Sequence, residues 1–197
     1  MKDNSIVLIE SAPEKIRNND STYRYRQCSN FYYLTGYSKP SALLVVLKKN
    51  KKLITHFFTK KPNKHDEVWT GQLPTSTKTK NLYGFDKCSY LNDIEKYLMS
   101  YLENIKTIYH AWDDDTVNKS IFDSCLHKLG EKYRSGTEIP SEFFSLKKIV
   151  HKLRLIKDKS EINLIRTAGK ISSLAHIEMI KKCKPGLTER ELEAVLL

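Results

Sequence analysis

Long apolar runs are absent from this chain of 197 residues. No uninterrupted stretch approaches the ~18 residues that a helix needs to cross a bilayer, so no membrane span is expected. The first ten residues, M-K-D-N-S-I-V-L-I-E, hold too short an apolar core for a signal peptide, and Glu10 ends it. A cytoplasmic location is the resulting expectation. Cysteine is sparse: Cys28, Cys88, Cys125 and Cys183 are the only four. None forms a C-x-x-C pair or stands at finger spacing from a histidine, which argues against a zinc site. In a chain without an export signal they read as reduced thiols serving as small apolar residues. The six histidines, His56, His65, His110, His127, His151 and His176, show no H-E-x-x-H or similar ligand spacing. Glycine occurs only seven times, and no Gly-rich phosphate loop, Ser/His/Asp arrangement, internal repeat or low-complexity tract is present.

What is there suits a water-soluble globular chain: 40% of residues are hydrophobic, with a mean hydropathy of -0.52. The length allows one sizeable core and the start of a second domain. Lysine and arginine exceed aspartate and glutamate, giving a net charge of +11. Such an excess suits a polyanion partner. Here the lysines are scattered in pairs such as Lys48-Lys49, Lys60-Lys61 and Lys181-Lys182 at expected element ends, so a solvated surface ranks ahead of nucleic-acid binding.

The pattern along the chain alternates strands with helices, which argues for an α/β layer architecture. Residues 5–9 read as a buried strand, broken by Ala12-Pro13 and followed by a polar loop at Asn18-Asn19-Asp20-Ser21. Residues 31–34 form a second candidate strand. Residues 42–47 and 53–58 make a hairpin joined by Lys48-Lys49-Asn50-Lys51-Lys52. Residues 59–80, with Pro62, Gly71 and Pro74, are expected to be a long irregular and functional loop. Leu91, Ile94, Tyr97, Leu98, Tyr101 and Leu102 recur at helical spacing, as do Val117, Ile121, Cys125 and Leu129. A strand at 105–109 lies between them, and residues 141–153 are expected to form another helix. Asp158 and Glu161 spell the N-cap and N3 of a capping box that opens a long helix, and Thr188 and Glu191 repeat the device. Leu192, Val195 and Leu196 begin a fresh apolar stripe only about two turns before the last residue, and the expectation is a truncated product.

The most informative stretch is residues 23–40, Y-R-Y-R-Q-C-S-N-F-Y-Y-L-T-G-Y-S-K-P. By physics alone it is either a base-stacking Tyr/Arg surface or a set of half-buried strands. Other segments join it in order: Ala12-Pro13-Glu14, Asp20-Ser21, Glu67-Val68-Trp69-Thr70-Gly71, Tyr109-His110-Ala111, residues 150–157 (V-H-K-L-R-L-I-K), Ala168-Gly169-Lys170-Ile171, Ala175-His176 and Lys182-Cys183-Lys184-Pro185-Gly186-Leu187. Each is weak alone. In combination they resemble the N-terminal part of the aminopeptidase P (Xaa-Pro aminopeptidase) family, of the creatinase "pita-bread" superfamily.

The resemblance implies a fold: residues 1–152 as a creatinase-type N-terminal α/β domain with a mixed β-sheet flanked by helices, and 153–197 as the first helices of a truncated pita-bread domain. It implies a chemistry for the intact family enzyme, in which dinuclear Mn2+ activates a hydroxide against the bond before proline. The substrates would be peptides with proline at position two. It also implies a homo-oligomer assembled through this domain. The family's metal ligands, two aspartates, a histidine and two glutamates, are expected beyond Leu197. The chain is therefore expected to carry no metal site and to be catalytically incomplete. It also begins almost directly at the first strand, where relatives usually have a helix. The alternatives are a non-catalytic creatinase-like binding module with an acidic partner, and nucleic-acid binding through the Tyr/Arg segment.

Trp69 is the leading candidate site residue. The resemblance implies that it reaches from one subunit toward the active site of another, against the simpler reading that it packs under its own loop. Asp20 and Arg134 match residues that relatives bring near a substrate site, against loop capping and a solvated charge. Arg26 is expected to hold a buried or interdomain carboxylate or carbonyl as a forked donor, and Asp158 and Thr188 to act as helix caps. Asp113-Asp114-Asp115 reads as a helix-start feature rather than a cation site.

Overall fold

Aliphatic and aromatic strands organise the molecule around one sheet. In the computed structural model, residues 1–111 and 119–197 are described. The strands are β1 (Ser5–Glu10), β2 (Ile16–Asn18), β3 (Ser21–Thr22), β4 (Ala42–Lys49), β5 (Lys52–Thr59), β6 (Lys87–Tyr90), β7 (Thr107–His110) and β8 (Glu142–Ser145). β2 and β3 form a small separate hairpin, and the other six form a mixed sheet of order β6-β5-β4-β1-β7-β8. β4 is antiparallel to both β1 and β5, while β1–β7, β5–β6 and β7–β8 pair in parallel. Five strands therefore end at one edge of the sheet, where β4 begins. This is the carboxyl edge.

Strand β1 is central, and both of its faces are apolar, as expected for a strand covered on two sides. Ile6 and Leu8 join a core with Leu43, Val45 and Phe58. Helices α4 (Ile94–Leu102) and α5 (Lys119–Glu131) close that face through Leu98, Leu102, Cys125 and Leu129. Val7 and Ile9 point to the other face, with Leu44, Phe57 and Tyr109. There α1 (Ser29–Thr35) brings Phe31, and α6 (Leu146–Leu155) brings Leu146 and Val150. The α/β class and the mixed sheet with flanking helices are as the resemblance implied.

Several local expectations change. Residues 31–34 lie in helix α1, not in a strand. Phe31 is buried while Tyr32 and Tyr33 are exposed, a helical rather than an alternating pattern. The Thr35 hydroxyl donates to the Phe31 carbonyl at 2.7 Å, and Gly36 ends the helix at φ 68°. Residues 59–80 contain α2 (Lys64–Thr70) and most of α3 (Ser76–Tyr83) rather than one irregular loop. The expected helix at 141–153 is preceded by β8, whose four residues complete the sheet edge. The hairpin turn is tighter than expected: Asn50 and Lys51 alone connect β4 and β5, with φ of 53° and 62°. Asp113, Asp114, Asp115 and Val117 lie outside the described residues.

The chain divides into two units, Met1–Val150 and His151–Leu197. In the second, Asp158 accepts from the Glu161 amide and Glu161 reaches back to the Asp158 amide, which starts α7 (Lys159–Lys182). Thr188 and Glu191 do the same for α8 (Glu189–Leu196). No residue of α7 or α8 is buried. Among the described residues, no helix is long and apolar enough to cross a membrane.

Candidate functional site

The carboxyl edge gathers the segments that carry polar side chains. After β1 the chain leaves through Ser11, whose amide donates to the Ala42 carbonyl while its hydroxyl accepts from the Ala42 amide. It then turns at Pro13 into the β2–β3 hairpin and returns through residues 23–28. Gln27 ties this arch down. Its Oε1 accepts from the Ala12 amide at 2.8 Å and the Cys28 amide at 2.9 Å. Its Nε2 donates to the carbonyls of Tyr37 at 3.2 Å and Lys39 at 2.9 Å. With two bonds accepted and two donated, the whole hydrogen-bonding capacity of the Gln27 amide is spent on fixing the chain path. The Tyr25 hydroxyl donates to the Ala12 carbonyl at 3.0 Å, and burial pushes the Tyr25 phenol up to about 12.

Trp69 stands near the end of α2, which leaves the same edge after β5. Asn63 caps this helix by accepting from the His65 amide, and Asp66 and Glu67 favour its first turn. Lys60 pairs with Asp66 at 2.6 Å, and this hydrogen bond holds the Asp66 carboxyl below the usual range. The Lys39 ammonium donates to the Gln72 carbonyl, pinning the far end of the segment. Trp69 is 82% exposed and its neighbour Val68 80% exposed. The tryptophan therefore does not pack beneath its own loop.

Asp20 is exposed in the turn between β2 and β3, also on the carboxyl side. Arg134 is exposed in a 3-10 turn after α5. That helix returns from the carboxyl edge, so Arg134 precedes the loop at Glu138, whose carbonyl accepts from the Asn104 amide where β7 begins. Topology thus groups Asp20 with Trp69 and places Arg134 at the opposite end of the sheet. No hydrogen bond or ion pair among the described residues joins any two of the three. Arg26 differs from expectation. It is exposed, it has no hydrogen bond or ion pair among the described residues, and the anchoring role falls to Gln27. The pattern Y-R-Y-R-Q draws attention to the arginines, and only the long-range return to Ala12 reveals the glutamine.

Among the described residues, no three His, Cys, Asp or Glu side chains are grouped so as to hold a metal ion. The described residues do not fit the two-metal centre that the resemblance implies for the intact family enzyme. His56 is buried between β5 and α4, and desolvation lowers its imidazole to about 4. Burial also raises the Cys88 thiol to about 11 and the Cys125 thiol in the same direction, as suits apolar packing roles.

Residues 1–109, more than half of the chain, match the family described as "Aminopeptidase P, N-terminal domain". The chain belongs to this aminopeptidase P family. It is 33% identical to the Xaa-Pro aminopeptidase of Escherichia coli, covering 98% of this chain and 44% of that protein. It is 29% identical to the Xaa-Pro aminopeptidase of Haemophilus influenzae, over 100% of this chain and 43% of that one. Among solved structures, a low-pH form of E. coli aminopeptidase P superposes with a TM-score of 0.93 at 32% identity, covering 100% of this chain and 45% of that one. Proline aminopeptidase P II from Yersinia pestis gives a TM-score of 0.92 at the same identity and coverage. The aminopeptidase P-type chain therefore spans less than half the length of these relatives.

Proposed function

We propose that this chain is the amino-terminal part of a manganese-dependent Xaa-Pro aminopeptidase, an enzyme that removes an N-terminal residue preceding proline. The observation that carries the reading is the match of the whole chain to E. coli aminopeptidase P at a TM-score of 0.93. Residues 1–152 are the N-terminal domain and 153–197 the opening of the metallopeptidase domain. This part is inactive alone, and its share of the work is assembly and shaping of the substrate site in a cytoplasmic homo-oligomer. Trp69 suits that role, because an aromatic side chain left so exposed is what a partner surface covers. Asp20 and Arg134 add charges for the peptide from opposite ends of the sheet. The peptides have proline at position two. A calorimetric titration of the pure chain with Mn2+ tests this division of labour. No stoichiometric binding is expected, and one or two equivalents bound with a Kd below about 1 μM would overturn it.

A further inference from the structure

The chain's connections change direction at one point of the sheet. From β1 the chain goes to β4, β5 and β6 on one side, then crosses to β7 on the other. β1 and β7 are parallel neighbours, and the helices that follow them, α1 and α5, pack on opposite faces of the sheet. Crevices outside such switch points are where α/β sheets take ligands. A cavity of about 220 Å³ lies here, bordered by residues 8–11 at the end of β1 and by His110 and Ala111 at the end of β7. It shares Ala12, Pro13, Lys15 and Cys28 with a second, outer cleft of about 410 Å³. The combined size suits a small organic molecule.

The two parts differ in chemistry. The inner end is lined by Leu8, Ile9 and Ala111 together with Glu10, Ser11 and His110. The outer cleft is lined by Lys15, Arg24 and Arg26, beside Tyr23, and its described lining residues include no carboxylate. Neither arginine makes an ion pair among the described residues. Their wall is held in advance by the Ala12 amide donating to Gln27 and the Tyr25 hydroxyl donating to the Ala12 carbonyl, so little ordering is left for binding to supply. Two guanidinium forks and an ammonium recognise planar or multi-oxygen anions through charge-assisted hydrogen bonds.

We propose that this switch-point crevice binds a small organic anion, with its carboxylate or phosphate held at the mouth by Lys15, Arg24 and Arg26 and its apolar body directed toward Leu8, Ile9 and Ala111. The site involves no bond cleavage and stands whether or not the peptidase reading does.

The test is an NMR titration of the isotope-labelled full chain with phenyl phosphate, benzoate, inorganic phosphate and benzyl alcohol. Saturable shifts of the amides around Ala12, Lys15 and Cys28 are expected with the two organic anions, and the tighter of the two names the preferred group. The double variant R24Q/R26Q, both sites being exposed, should keep its melting temperature and lose about tenfold or more in affinity. Absence of saturation by about 10 mM, equal binding of benzyl alcohol, or unchanged affinity in the double variant would overturn the site. Inorganic phosphate binding as tightly as phenyl phosphate would overturn the organic ligand.

Discussion

The His56 Nδ1 lies 2.9 Å from the Tyr101 hydroxyl, while its Nε2 lies 2.9 Å from the Ser89 hydroxyl. Both ring nitrogens are satisfied, and the ring sits against Phe58 and edge-on to Tyr97. The imidazole is held neutral: burial lowers it from 6.5 to about 4, and Lys87 adds to the shift. Below pH 6.5 the unfolded chain takes up a proton that the folded chain refuses, so stability falls as pH drops from about 6.5 through about 4. Glu142 continues the loss. Its hydrogen bond from Lys2 above all, with Thr107 and Lys106, holds it at about 2 against an ordinary 4.5, so its contribution fades as pH falls between those values. Urea unfolding at a series of pH values checks this. His56→Gln should flatten the upper part of the decline and leave the lower part.

Gln27→Ala removes four hydrogen bonds that close the arch over residues 12–39. With about 0.5–1.5 kcal/mol net for each bond and partial rescue by water, a loss of about 2 kcal/mol is expected. Thermal unfolding would register it as a drop of about 4–8 °C. A shift within about 1 °C would show that the arch holds without the glutamine.

Trp69→Ala should leave the stability of this chain within about 0.5 kcal/mol, because a side chain 82% exposed loses little packing on truncation. The same change in an assembled enzyme should cost activity or association. Chemical unfolding of the variant chain checks the first half: a loss above about 2 kcal/mol would mean that the tryptophan is structural.

The parts of the fold that were legible in the sequence rest on short-range chemistry. Asp158 with Glu161, and Thr188 with Glu191, are local capping pairs, and both form. The β4–β5 hairpin follows from adjacent apolar runs. Misreadings arose where tertiary contacts outvoted local propensity. Phe31, Tyr32 and Tyr33 favour strands as residue types, yet burying Phe31 against Phe57, with Gly36 behind it, selects a helix. Strand β8 is only Glu142 to Ser145, and its identity comes from β7 beside it rather than from its own four residues. The candidate residues were legible only through the family pattern, and the pattern does not contain their geometry. Asp20 and Trp69 share an edge because β1 and β5 end together, and Arg134 is separated from them because α5 runs back across the sheet. The crevice at β1 and β7 was invisible for the same reason: nothing local to residues 8–11 announces that residues 107–110 lie alongside.

The most direct measurement is an assay of the purified chain with a peptide bearing proline at position two, in the presence of manganese. On the proposed reading, no release of the N-terminal residue above a blank of metal ion alone is expected. Release that requires the protein, increases with manganese and is abolished by a chelator would contradict that reading.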